Sequence, residues 1–193
     1  LQYQIFMKIG IYNPYIDSFG GGERYVFTLA EHWAKTHTVN IFWDDETILS
    51  QAHIRFDVDL SSVPVVPNIF DYHNLFRKLS ITHGYDCLFF ISDGSIPMSL
   101  AKRNILHFQV PFRHISLPSW KAGLYQRIIC NSEFTKMHLD PAISIRRSVI
   151  YPPVDTQKMK AGTKTNTILT VGRFSSLYGA KKQSILIDAF RKA

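Results

Sequence analysis

The chain has 193 residues, 46% of them apolar and 19% charged, enough to bury a core and too apolar for a disordered polar segment. Its formal net charge of +7 favours anionic partners (nucleic acid, acidic lipid or phosphorylated small molecules) without deciding a fold. No apolar run reaches the ~18 residues a spanning helix needs, and the N-terminus lacks the basic and apolar pattern of a signal peptide. Cys87 and Cys130 sit in apolar runs as small buried hydrophobes rather than as a disulfide framework or metal site, which points to a reducing compartment.

In chain order, Phe6 to Tyr12 reads as a short, mostly apolar strand ending at the turn signal Asn13-Pro14. Gly20-Gly21-Gly22 follows, and Glu23 to Lys35 has helical spacing, with Tyr25, Val26, Leu29, Ala30 and Trp33 in one stripe. Thr38 to Trp43 is a second strand. Strand, glycine turn, helix and strand make a βαβ unit of a parallel sheet. Ile54 to Leu60 alternates with period two and predicts a strand; Ile69 to Ile81, opening near Asn68, predicts a helix. Cys87 to Ile91 is a continuous apolar run, the pattern of a strand covered on both faces. Asn104 to Phe108 and Arg127 to Cys130 are further strands. Ser132 then caps a short helix carrying Phe134 and Met137, and Ser148 to Tyr151 is a last strand.

This alternation predicts an α/β fold, a Rossmann-like, doubly wound parallel sheet, over residues 1–153. Tyr151-Pro152-Pro153 ends it, and the polar residues 154–166 read as a linker. The pattern then restarts over 167–193, with a strand at Thr167 to Val171 and an amphipathic helix at Lys181 to Lys192 whose Ile185, Leu186, Ala189 and Phe190 are expected to face inward. One strand and one helix cannot bury a core, so the second domain is expected to be truncated.

Three groups could carry chemistry. The glycines before the first helix let a ligand approach the backbone where free N–H groups and the positive dipole end suit phosphate. Their spacing is not G-x-G-x-x-G, and eight residues separate Tyr12 from Gly21, so the dinucleotide fingerprint of an oxidoreductase is not met. His107 ends a strand, where α/β proteins bind ligands, and a neutral imidazole can hydrogen-bond a sugar hydroxyl. Arg173, with Lys181 or Lys182 opening the next helix, could clamp a diphosphate. The remaining histidines show no metal spacing. Basic residues such as Arg77, Lys78, Lys121 and Arg127 are scattered among aromatics without a helix-turn-helix, zinc-finger or RNA-binding signature, so nucleic acid is not expected.

Taken in order, six segments resemble the family 4 glycosyltransferases of the two-domain GT-B fold. They are Phe19-Gly20-Gly21-Gly22-Glu23-Arg24, Ile105-Leu106-His107-Phe108, Ile129 to Lys136 with its N-S-x-F-T core, Val149 to Asp155 with Y-P-P-V-D, Leu169 to Phe174, and Lys181-Lys182-Gln183 leading into Leu186 to Phe190. The resemblance implies a retaining transferase that moves a sugar from a nucleotide-sugar donor to a glycan or lipid-linked acceptor, as in polysaccharide biosynthesis. It implies no metal and no cofactor beyond the donor substrate. Gly21, Gly22, Arg173, Lys181 and Lys182 would bind donor phosphate, and Glu23 would cap or orient the loop among the catalytic residues. His107 would sit by the transferred sugar. Asn13, Tyr15, Phe19 and Gln109 would face the acceptor. It also implies a cytoplasmic protein with peripheral contact to the inner face of the membrane. The donor-binding second domain, with an E-x7-E segment, would be missing after Ala193, leaving the chain inactive by itself. The competing expectation is a catalytically inactive acceptor- or membrane-binding α/β module; a sugar-nucleotide epimerase or phosphorylase is disfavoured by the N-S-x-F-T segment.

Overall fold

The first strand, β1 (Lys8–Tyr12), is central to the sheet because its side chains are apolar on both faces and Gly10 lets its neighbours close in. A Cβ on Gly10 would lie 2.4 Å from Leu88 and 2.6 Å from Phe42. In a computed structural model, which describes residues 6–71, 74–115, 117–156, 159–171 and 182–192, β1 pairs in parallel with β2 (Thr38–Phe42) on one side and β4 (Cys87–Ile91) on the other. The described strands form one seven-stranded, all-parallel sheet in the order β3-β2-β1-β4-β5-β6-β7, with β3 at Val65–Val66, β5 at Asn104–Phe108, β6 at Arg127–Cys130 and β7 at Arg147–Val149. The order runs outward in both directions from β1 and β4, so the topological switch point, where such sheets bind ligands, lies between those two strands. The Rossmann-like expectation is met.

Period-two alternation sends successive residues of each strand to opposite faces. In β4, Cys87, Phe89 and Ile91 join one core cluster and Leu88 and Phe90 the other. The first cluster is covered by α1 (Gly21–Ala34) through Tyr25, Val26, Phe27 and Ala30, and by α2 (Thr47–Phe56) through Ile48 and Ala52. The second packs under the side of α3 (Leu75–His83), α4 (Ser119–Ala122) and the loop after α5 (Glu133–His138), through Ile81, Ala122 and Leu139. Cys87 and Cys130 are free and buried, one in each cluster.

Three local expectations need correction. Residues 54–56 end helix α2 instead of opening a strand, and Ile54 points to solvent. The side chain of Asp45 accepts the Thr47 amide at 2.9 Å to start that helix, and Asp57 in the left-handed region (φ 56°) stops it. Val58 and Leu60, buried in the following loop, completed a period-two pattern that spans two elements. The helix expected over 69–81 is two pieces: a single turn at Ile69–Asp71 after Asn68, then α3, begun when Asn74 Oδ1 accepts the Arg77 amide at 3.0 Å. The last strand starts one residue earlier and ends at Val149.

The chain divides into two compact units, Leu1–Val154 and Asp155–Ala193. In the second, residues 167–171 form no strand, and Ile168, Leu169 and Val171 are exposed. A strand exists only in a ladder, and none of the described residues of this unit pairs with them. Helix α6 (Gln183–Lys192) forms as its spacing predicts, but Ile185, Leu186, Ala189 and Phe190 are exposed instead of facing inward.

Candidate active site

The site is built on the loop between β1 and α1, beside the switch point. Asn13, directly after β1, is fully buried. Its Oδ1 accepts the Tyr15 amide at 3.0 Å, an Asx turn that bends the chain, while its Nδ2 donates to Glu23 Oε1 at 3.2 Å. A single turn at Ile16–Ser18 follows, anchored by fully buried Ile16. Phe19 then takes left-handed geometry (φ 48°) and delivers the chain to Gly20, the N-cap of α1.

Glu23 holds this loop together. It is the third residue of α1 and is 7% exposed. Its Oε2 accepts Ser18 Oγ at 2.9 Å and the Gly20 amide at 2.7 Å. One carboxylate therefore gathers three donors from three points of the 13–20 loop. The bond back to the N-cap amide is the reach of a capping box, and its negative charge sits at the positive end of the helix dipole. With the loop so fixed, the amides of Gly21 and Gly22 find no acceptor among the described residues, as the first turn of a helix requires. Space around Gly21 is open: a Cβ there would meet nothing within 4 Å. At Gly22 it would lie 2.1 Å from Gln109 Oε1.

His107 lies in β5, on the α1 side of the sheet, between the side chains that join the opposite core cluster, Leu106 and Phe108. It is fully buried, with its ring stacked on Tyr25 of α1 at 4.5 Å and on Phe89 of β4 at 5.6 Å. Both ring nitrogens lack a partner among the described residues. Burial lowers its pKa to about 4, so the ring is neutral at pH 7 and carries one donor and one acceptor. Two residues on, the Gln109 carbonyl accepts Asn131 Nδ2 at 2.8 Å, which ties the end of β5 to the N-S-x-F-T turn. Asn131 Oδ1 in turn accepts Thr135 Oγ1 at 2.7 Å, and Ser132 caps α5 by accepting the Thr135 amide at 3.1 Å.

The structure thus joins Asn13, Glu23, Gly22 and Gln109 by direct contact, and His107 to α1 through Tyr25. Tyr15 is exposed and uses its amide on Asn13. Phe19 is spent on the fold, packed with Phe27 and Phe56 and overlaid by the Arg55 guanidinium 4.9 Å from its ring centre. Arg173 and Lys181 lie outside the described residues. Lys182 is exposed, with φ 49°, in the second unit.

Ser18, Tyr25 and Asn131 are the participants sequence reasoning did not single out as site residues. Asn131 was visible in the N-S-x-F-T motif; Ser18 and Tyr25 carried no signal beyond their distance in sequence from Glu23. Beyond the ends of β2 and β3 lies a cleft of about 320 Å³, lined by Asp17, Trp43, Asp44, Asp45, Asn68 and Asp71, which repels phosphate and can accept hydrogen bonds from hydroxyls. Nearby, burial and Asp71 push the Tyr12 hydroxyl up to about 12. Among the described residues no group of histidine, cysteine and carboxylate side chains could hold a metal ion, and no helix is long and apolar enough to cross a membrane.

Residues 19–158 match the model of Glycosyltransferase Family 4, more than half of the chain. No curated protein matches. Two solved structures of Anabaena Alr3699/HepE are similar. The complex with UDP-glucose shares 15% identity at a TM-score of 0.50, covering 78% of this chain and 45% of that one. The complex with UDP and glucose shares 13% at 0.48, covering 78% and 46%. This chain therefore spans just under half the length of HepE.

Proposed function

The chain belongs to glycosyltransferase family 4, and from that premise we propose that it supplies the acceptor-side wall of a transferase that moves a sugar from a nucleoside-diphosphate donor to a glycan or lipid-linked acceptor with retention. The observation that carries this reading is a set of polar groups without partners among the described residues: the first amides of α1, held in position by Glu23, and the ring nitrogens of neutral His107, which stacks on Tyr25 of the same helix.

The chemistry follows from that arrangement. As the bond between the anomeric carbon and the leaving oxygen breaks, negative charge gathers on the diphosphate. Fixed N–H groups and a helix dipole aimed at that charge stabilise it more in the transition state than in the ground state. Glu23 takes the role of a positioning residue: its carboxylate is occupied by Asn13, Ser18 and Gly20. His107, neutral, offers one hydrogen bond to a sugar hydroxyl without adding a charge that would compete for the diphosphate. The acidic cleft beside the 13–19 loop suits the hydroxyls of a sugar acceptor. Arg173, with Lys181 or Lys182, is proposed to take up the remaining diphosphate charge, and residues 167–193 to belong to a donor-binding domain.

UDP-glucose, with which HepE was crystallised, is the first donor to test. Calorimetry against UDP-glucose, other nucleotide sugars and the free sugars should show binding that requires the diphosphate. Failure of every nucleoside-diphosphate sugar to bind, with the fold intact by circular dichroism, would sink the reading.

A further inference from the structure

Resting on that reading, the geometry points to a role for Gln109: we propose that its side-chain amide is a donor-phosphate ligand, and that position 22 is glycine in order to admit that amide. A Cβ on Gly22 would sit 2.1 Å from Gln109 Oε1 and 2.7 Å from its Cδ and Nε2. No Cβ tolerates such distances, so any larger residue at 22 would expel the Gln109 amide from the first turn of α1. Gly21, by contrast, faces open space. Of the two helix-opening glycines, therefore, only Gly22 is crowded by the fold itself, and what crowds it is one polar side chain.

That side chain has an unmet bond. Gln109 Nε2 is buried and has no acceptor among the described residues, an unfavourable state for an amide donor. The backbone beneath it is fixed: Asn131 Nδ2 donates to the Gln109 carbonyl at 2.8 Å, and the Asn131 amide donates to the Phe108 carbonyl at 3.2 Å. Gln109 itself is only partly buried, so its terminal amide can turn toward an incoming group. The Gln109 amide lies against Gly22 in the first turn of α1, where the amides of Gly21 and Gly22 are also without acceptors among the described residues. A phosphate oxygen drawn to those amides arrives beside Nε2 and takes the bond the chain leaves unmade. Gln109 is neutral, so it adds a donor without the cost of burying a charge. His107 in β5 stacks on Tyr25 of α1, and Gln109, one residue past the end of β5, lies against Gly22 of the same helix. Both carry side-chain nitrogens without a partner among the described residues.

The test is a double-mutant cycle with three probes: uridine, UDP and inorganic pyrophosphate, titrated into the protein and into Gln109→Ala, Gly22→Ala and the double variant. Gln109→Ala should weaken UDP and pyrophosphate by about tenfold to a hundredfold, the range for a hydrogen bond to a charged group, and leave uridine unchanged. Gly22→Ala should lose the same factor by displacing the amide, and the double variant should lose no more than either single one. Gln109→Glu, nearly isosteric, should be weaker still for both phosphates. Equal loss of uridine and UDP would assign Gln109 a structural role and overturn the proposal. So would a Gly22→Ala penalty that persists in full in the Gln109→Ala background, since Gly22 would then be small for the phosphate and not for Gln109. Pyrophosphate binding with this signature but without nucleotide-sugar binding would leave the inference standing and remove the transferase reading. UDP binding indifferent to Gln109 would do the reverse.

Discussion

Replacing Glu23 by glutamine changes one atom and should loosen the whole 13–20 loop. In the native chain Oε1 accepts Asn13 Nδ2 and Oε2 accepts Ser18 Oγ and the Gly20 amide, so all three contacts require an acceptor. Glutamine keeps one. If its oxygen stays on Ser18 and Gly20, its NH2 confronts the NH2 of Asn13. Asn13 cannot answer by flipping, because its Oδ1 already accepts the Tyr15 amide at 3.0 Å. Asn13 is fully buried, so water does not reach the lost bond from that side. One buried donor left unsatisfied, plus a bond to a charged acceptor lost, amounts to about 2 kcal/mol. For a domain of this size that is about 4–8 °C in Tm. Thermal and urea unfolding followed by circular dichroism measure it, and UDP affinity should fall in parallel, because the amides of Gly21 and Gly22 lose their fixed aim. A change within about 0.5 kcal/mol, the ordinary scatter of surface substitutions, would refute the claim that this carboxylate holds the loop.

Two further substitutions test the site and the sheet. His107→Phe keeps the stack between Tyr25 and Phe89 and removes two buried unpartnered nitrogens, so the chain should become more stable by about 1–2 kcal/mol while donor-sugar binding is lost. The native protein should also lose about 3 kcal/mol as pH falls from 6.5 to about 4, because the unfolded imidazole takes its proton near 6.5 and the folded one resists until about 4. Stability is then flat above 6.5 with respect to this group, and His107→Phe should abolish the acid slope; an unchanged slope in urea melts across that range would show that other groups set it. Gly10→Ala drives a methyl to 2.4 Å from Leu88 and 2.6 Å from Phe42 in the middle of the sheet, and should destabilise by about 1–3 kcal/mol without altering the α1 turn; a neutral result in chemical denaturation would mean that the β1 packing is looser than described.

The sheet was legible where one residue pattern belonged to one element. Cys87 to Ile91 reads as a strand covered on both faces, and it is buried throughout. The pattern failed at Ile54 to Leu60, where a helix end and a loop each contributed two apolar residues to a false alternation. It failed again at residues 167–171, where strand propensity is present but no ladder exists among the described residues of that unit to use it. At the site, the glycine turn and Glu23 could be read locally, because a carboxylate three residues after an N-cap reaches back to it by helix geometry alone. His107 was legible as a strand-end residue, but its complete burial between Tyr25 and Phe89 was not. The contact of Gln109 with Gly22 bridges residues far apart in sequence. No local signal announces it, and a glutamine after a strand reads equally well as a surface residue.

In the proposed site the first turn of α1, with His107 and Gln109 behind it, faces the phosphates and sugar of a nucleotide donor. Titrating UDP-glucose into 15N-labelled protein while following backbone amides and the histidine ring by NMR tests it most directly. Saturable shifts are expected at Gly20 to Glu23, at Gln109 and in the His107 ring, absent when glucose alone is added. Shifts that bypass these residues, or that glucose alone reproduces, would contradict it.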